Sequence, residues 1–293
     1  MTTNAKIPIL LDTDIGSDID DALCLAYLLR QPRCELVGIT TVTGEARERA
    51  MLVDAVCQAA GRTDIPIHSG AEKPLFLPQG QPEAPQREAL AHYPHRTDFP
   101  PNTAVEFLRQ TIRARPGEIT LLGIGPLTNI GLLFALDPAI PALLKDIVLM
   151  CGVFYPTNAR WGYSEWNATA LVYGAPVAQH TSIGLDVTLQ CEMDAAACRQ
   201  KMKGGPLAVA ATMAEVWFRH AGHITFHDPL AAAVIFHPEL CDYQSGRVEV
   251  ELASRHAPGI TYWYPNAENS PHRIAVTVDA PAFFTEYFSI AAG

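Results

Sequence analysis

No apolar run in the 293-residue sequence approaches the roughly 20 residues that a bilayer-spanning helix needs. Positive charge is also scarce. Lys and Arg number 21 against 31 Asp and Glu, a formal net charge of −10. A surface that tracks nucleic-acid phosphates has the opposite balance, so neither a membrane nor a nucleic acid is expected as a partner. The seven cysteines are odd in number and contain no CxxC pair. That gives little support to a disulfide scaffold or a zinc–thiolate site and fits reduced thiols in a cytoplasmic protein. The start, MTTNAKIPILLDTD, lacks the long apolar region of a secretory signal. Internal repeats and low-complexity tracts are likewise absent.

What is present is a core-forming chain, 48% hydrophobic and 18% charged. Residues 7–11 (IPILL) form an unbroken apolar run that stops at Asp12, as expected of a strand buried on both faces. DDALCLAYLLRQ then predicts a helix ending before Pro32. Further strands are expected at 36–44, 119–123, 147–150 and 182–186. Helices are expected at 46–60, over PLTNIGLLFAL and at 206–222. This alternation predicts an α/β domain spanning residues 1–293, with a mostly parallel central sheet covered by helices on both faces. RVEVEL (247–252), ITYWY (260–264) and RIAVTV (273–278) predict a small antiparallel C-terminal extension. Residues 74–102 and 153–168 read as long loops of the kind that line binding sites.

Five aspartates fall within ten residues: Asp12, Asp14, Asp18, Asp20 and Asp21. Asp12 and Asp14 share one face of the first strand, and Gly16 permits a sharp turn at its end. Asp20 and Asp21 sit at a helix start, where Asp18 or Asp20 could cap free N–H groups. Capping accounts for one or two of the five. Several carboxylates at the end of a buried strand are unfavourable unless a cation neutralises them. An all-oxygen set favours a hard ion, Ca²⁺ or Mg²⁺, over zinc. An EF-hand loop counted from Asp12 fails, because its glycine is fifth rather than sixth and its twelfth residue is Leu23. An aspartate-nucleophile phosphatase also begins strand-D-x-D, but no convincing partner for its phosphate-binding lysine and later acidic pair is found.

A second stretch, HITFHDPLA (223–231), holds Asp228-Pro229, an ordinary helix start with Asp as cap and Pro in the first turn. His220, His223 and His227 could also form a metal stripe, a weaker reading because Thr225-Phe226 falls in the connection before the next helix. Taken with IPILLDTDIGSDIDDA, GITTVTGE, AGRTDIPIHSGAEKPL, ITLLGIGPLTNI, IVLMCG, SEWN and GLDVT, the order of motifs resembles the nucleoside hydrolases of the inosine–uridine type. The resemblance runs from Ile7 to about Phe284 and implies a Rossmann-like nucleoside hydrolase fold. It further implies Ca²⁺-dependent hydrolysis of a ribonucleoside to ribose and free base, in a homodimer or homotetramer. By that likeness Asp14 binds Ca²⁺ and activates the attacking water. Asp21, Asp228 and the backbone carbonyl of Ile124 complete the metal site. Asp20, Asn158, Glu165 and Asn167 bind substrate, His227 stands beside the leaving base, and Asp12 supports the site from behind.

The sequence departs from the family pattern in three places. Ser17-Asp18-Ile19 lengthens the acidic stretch by two residues over the commonest form and leaves Asp18 as an alternative ligand. Glu45 stands where the family usually has a sugar-contacting Asn, and an ionised Glu only accepts hydrogen bonds. EALAHYPHRTDFPPN replaces the usual HGxDG-type segment, so His92, Tyr93 and His95 either meet the base or face solvent. Two further readings stay open beside the main one: an N-ribohydrolase of a modified or non-nucleoside riboside, and a non-catalytic ribose-binding homologue.

Overall fold

We describe a computed structural model of the protein over residues 5–155, 166–268 and 270–293. The first apolar run forms β1 (Ile7–Thr13), and the acidic stretch leads into α1 (Asp20–Arg30). The chain then forms β2 (Cys34–Thr41), α2 (Ala46–Ala59) and β3 (Ile67–Ser69). β2 lies beside β1 and β3 beside β2, all parallel. After a long connection containing a 3₁₀ turn (Pro85–His92), α3 (Ala104–Ala114) returns the chain to β4 (Thr120–Gly123) on the opposite side of β1. α4 (Thr128–Leu136), β5 (Asp146–Met150), α5 (Trp166–Tyr173) and β6 (His180–Ile183) continue outward in that direction. The winding direction therefore reverses between β1 and β4, and in open parallel sheets the crevice beyond the strand ends at such a switch point is where ligands bind.

The chain next leaves the sheet through α6 (Leu185–Thr188), β7 (Glu192–Asp194), α7 (Ala195–Lys201), α8 (Gly205–Trp217) and β8 (His223–Thr225), with β7 and β8 paired as a separate antiparallel ribbon. α9 (His227–Phe236) packs against α1. β9 (Cys241–Val250), β10 (Thr261–Pro265), β11 (His272–Val278) and α10 (Ala280–Ala291) follow. The expected C-terminal extension is continuous with the main sheet. β11 is parallel to β6, β9 pairs antiparallel with β11, and β10 pairs antiparallel with β9, so among these strands β9 alone runs against the sheet. Among the described residues the strand order of this sheet is β10-β9-β11-β6-β5-β4-β1-β2-β3.

Alternate residues of β1 enter opposite cores. Ile9 and Leu11 join the apolar layer made by α1, α2, α8, α9 and α10, while Leu10 joins the layer made by α3, α4 and α5. Burial on both faces explains the unbroken apolar runs of the central strands.

The 74–102 loop is fastened at its far end by Asp54 of α2. That side chain is 3% exposed and accepts hydrogen bonds from Arg96 Nε at 2.6 Å, Arg96 N–H at 2.7 Å and Gln58 Nε2 at 2.6 Å. Deleting this buried carboxylate removes three charge-assisted hydrogen bonds to half-buried or exposed donors, a loss on the order of 2 kcal/mol. Asp54→Ala should lower the urea midpoint accordingly with an unchanged m-value, and an unmoved midpoint would contradict this role.

Candidate active site

Three segments converge beyond the strand ends at the switch point: the 14–21 loop after β1, Ile124-Gly125 after β4, and the start of α9. Asp14, Asp18, Asp20, Asp21, Ile124, Gly125, His227 and Asp228 line one cavity there, together with Gln81, Met150 and Leu185. The acidic loop is shaped by its apolar residues. Ile15 and Ile19 are 0% and 1% exposed and plug into the core, which turns Asp14, Asp18 and Asp20 towards the cavity. The Thr13 hydroxyl donates to Asp21 Oδ1 at 2.5 Å and accepts from Ile15 N–H at 3.1 Å, fixing the strand end to the helix start.

Capping does not explain these aspartates. α1 starts after Ile19 and α9 after Phe226, and neither start has a side-chain cap. Asp20 and Asp228 lie inside the first turns, where the helix dipoles favour negative charge. The Asp228 N–H donates to Asp20 Oδ2 at 3.4 Å, joining the two helix starts. Asp20, Asp21 and Asp228 are all buried, and each offers an oxygen within 4.8 Å of the others. Three hard donors at that spacing suit one divalent cation. This trio includes Asp20, which sequence reading assigned to the sugar. Asp14 lines the same cavity but is not one of the three.

Burial dominates the electrostatics. Desolvation raises Asp14 to about 6 and Asp20 to about 8, with further repulsion from Asp18 on both. Desolvation and then neighbouring carboxylates push Asp21 and Asp228 well above the usual range. The buried Arg49 guanidinium opposes the rise at Asp14. Asp12 lies behind the cavity wall and is raised to about 7 by desolvation. Its Oδ1 accepts from Thr40 Oγ1 at 2.5 Å and Asn129 Nδ2 at 2.8 Å, and its backbone carbonyl accepts the Ile124 N–H at 2.9 Å. Asp12 thereby braces the β1–β4 junction. His227 lines the cavity with its Nδ1 hydrogen-bonded to Thr188 Oγ1 at 2.6 Å, and burial lowers its pKa to about 4.

The remaining expected residues are placed elsewhere. The Glu45 carboxylate is turned to the 84–87 segment, where it accepts the Ala84 N–H at 2.9 Å and pairs with Arg87. Asn167 lies in the first turn of α5 and is not among the cavity-lining residues. Asn158 and Glu165 fall outside the described residues. Tyr93 docks on α8 through Ala208 O and Thr212 Oγ1, His95 bonds Tyr93 O, and His92 is exposed. None of the three lines the cavity. The weaker reading, a metal stripe of His220, His223 and His227, finds no support among the described residues: His223 is exposed on β8, and no histidine joins the buried trio. Gln81, Met150, Leu185 and Thr188 were missed. Met150 ends β5, and Leu185 stands two residues beyond β6, so strand-end position was their available signal.

Carboxylates with raised folded pKa values hold more protons in the native than in the unfolded chain. Without a cation, stability should therefore fall as pH rises from 3.8 through about 8. A divalent ion that binds only the native state should stabilise more at high pH. In chelator, the melting temperature is expected to fall between pH 5 and pH 8, with Asp228→Asn flattening the fall. A flat or rising profile in the parent protein would count against this electrostatic picture.

Known proteins bear on this arrangement. Residues 9–285 match the family model described as inosine-uridine preferring nucleoside hydrolase. A protein named probable uridine nucleosidase 2 from Arabidopsis thaliana is 30% identical over 96% of each chain. The inosine-uridine preferring nucleoside hydrolase of Crithidia fasciculata is 28% identical over 94% of each. Among solved structures, a purine-preferring ribonucleoside hydrolase from Gardnerella vaginalis superposes with a TM-score of 0.82 at 23% identity, covering 98% of both chains. With the acidic loop and the start of α9 meeting at the sheet's switch point, the chain belongs to the inosine-uridine preferring nucleoside hydrolase family and is an N-glycosyl hydrolase.

Proposed function

We propose that the protein is a calcium-dependent ribonucleoside hydrolase that adds water across the N-glycosidic bond to release ribose and a free base. The observation that carries this reading is the meeting of the acidic loop and the start of α9 in one cavity at the β1/β4 switch point. The metal ligands are Asp14, Asp21, Asp228 and the Ile124 carbonyl, and the all-oxygen set suits Ca²⁺. Asp20, whose carboxylate oxygen lies within 4.8 Å of those of Asp21 and Asp228, is close enough to share in holding the ion. When bound, Ca²⁺ supplies positive charge that orients ribose hydroxyls and eases loss of a proton from water.

The chain's own residues do the rest. Asp14 takes the proton of the attacking water as general base. The surrounding carboxylates favour the positive charge that develops at C1′ as the bond to the base breaks. Asp20 accepts from a ribose hydroxyl, and Asn158, Glu165 and Asn167 are assigned to the sugar. His227 donates a hydrogen bond to the departing base. Burial lowers its pKa to about 4, so the ring acts in its neutral form. The relatives named as uridine nucleosidases make uridine the first substrate to try.

The test is release of reducing sugar from uridine and inosine. Turnover should vanish in chelator and return with added Ca²⁺, and Asp14→Ala should lose more than about a thousandfold in kcat while staying folded. A Cβ at Gly125 would stand 2.9 Å from both the Asp14 N–H nitrogen and a carboxylate oxygen of Asp14. Gly125→Ala should thus displace that carboxylate and cost about tenfold to a hundredfold. Undiminished turnover in chelator, or an active Asp14→Ala variant, would sink the mechanism. Tight ribose binding with no product from any nucleoside would leave a binding protein instead.

A further inference from the structure

Arg49 is wholly buried on α2, with no exposed side-chain surface. The acceptors around it are uncharged. Nε donates to Thr43 O at 2.9 Å, and Nη1 to Ile15 O at 3.0 Å and to Asp14 O. Nη2 donates to Ser17 Oγ at 3.0 Å, Glu83 O at 3.2 Å and Gln81 O at 3.5 Å. One planar guanidinium therefore spans three pieces of backbone: the acidic loop, the turn after β2, and the 81–83 segment. Burying an unpaired guanidinium is costly, and the cost is offset here by the negative field of Asp14, Asp21 and Asp18.

The 81–87 segment is seated directly on the acidic loop. A Cβ at Gly44 (φ +54°) would come within 2.4 Å of Gln81 O, and one at Gly16 (φ +116°) within 3.0 Å of Ala84 Cβ. Gln86 reinforces the seat through its N–H to Gly16 O at 3.0 Å and its Nε2 to Ser17 O at 2.8 Å. Gln81, which this segment carries, faces the same cavity as Asp14.

We propose that Arg49 is a positioning residue that holds Asp14 and the Gln81-bearing segment in register across the cavity, so that the site's base and its substrate-facing loop are set by one side chain. The catalytic half of this inference rests on the hydrolase reading above, and the structural half does not. Lysine keeps the charge but cannot reproduce a planar fork that reaches both loops.

The experiment compares the parent protein with Arg49→Lys by amide hydrogen exchange without metal, and by uridine kinetics with Ca²⁺. Exchange in 14–18 and 81–87 should quicken together by about tenfold or more while the sheet strands are unchanged. In kinetics, kcat should fall about thirtyfold and KM rise about tenfold, whereas a lost folded fraction would lower kcat alone. Unchanged exchange in 81–87, or parental kcat and KM, overturns the proposal. If the parent shows no turnover, the hydrolase reading fails and the exchange result alone decides. If Arg49→Lys does not fold, Ser17→Ala decides, since it deletes one of the six acceptors. Because Ser17 Oγ also donates to Glu83 O at 3.3 Å, exchange should quicken about threefold in both 14–16 and 81–87, and no change, or a change confined to 81–87, overturns the proposal.

Discussion

Negative charges crowded into a buried space repel one another, and that repulsion is the constraint around which the functional end of this protein is organised. Three carboxylates within 4.8 Å, with two more on the same cavity wall, would not stay together in water-free surroundings without compensation. The fold supplies part of it. Two helix starts aim their positive ends at the cluster, and a guanidinium is buried beside it. Protonation supplies another part, as the raised pKa values show. A divalent cation would supply the remainder, which makes ion capture a natural outcome of the arrangement.

The sheet provides the rigidity that such a cluster needs. β1 and β4 are central, parallel and buried on both faces, so the loops at their ends spring from fixed points. Asp12 holds the two strand ends together through its backbone carbonyl and through the Thr40 and Asn129 contacts of its side chain. The far partner, Asp228, arrives on α9, a helix buried along almost its whole length. Carboxylates from sequence positions more than two hundred residues apart are thus mounted on elements packed into the core, where small displacements are resisted.

Much of this was legible in the sequence. The apolar runs marked β1, β2, β4 and β5, because strands buried on both faces leave no room for polar alternation. α3 and α10 went unmarked. α3 follows a Pro-rich loop with no sharp break in the sequence pattern, and α10 follows strands that suggest a purely antiparallel end. The convergence of Asp14 with Asp228 came from family likeness rather than from spacing, since nothing local to residue 14 specifies residue 228. Arg49 was hidden for a physical reason. ARERA reads as a solvated charged face, and only the folded loops reveal five carbonyls and a hydroxyl waiting for a guanidinium. Glu45 was noticed as a departure, but its partners, Ala84 and Arg87, lie about forty residues away in a loop whose path the sequence did not give.

The buried isoleucines of the acidic loop carry a lesson for protein engineering. Ile15 and Ile19 work as two pegs set into holes of the core, and the aspartates are displayed by where those pegs lock. Transplanting the stretch from Asp12 to Asp21 onto another parallel sheet would therefore carry over the donors without their aim. A host scaffold would have to offer matching sockets four residues apart before the same ten letters could grip anything.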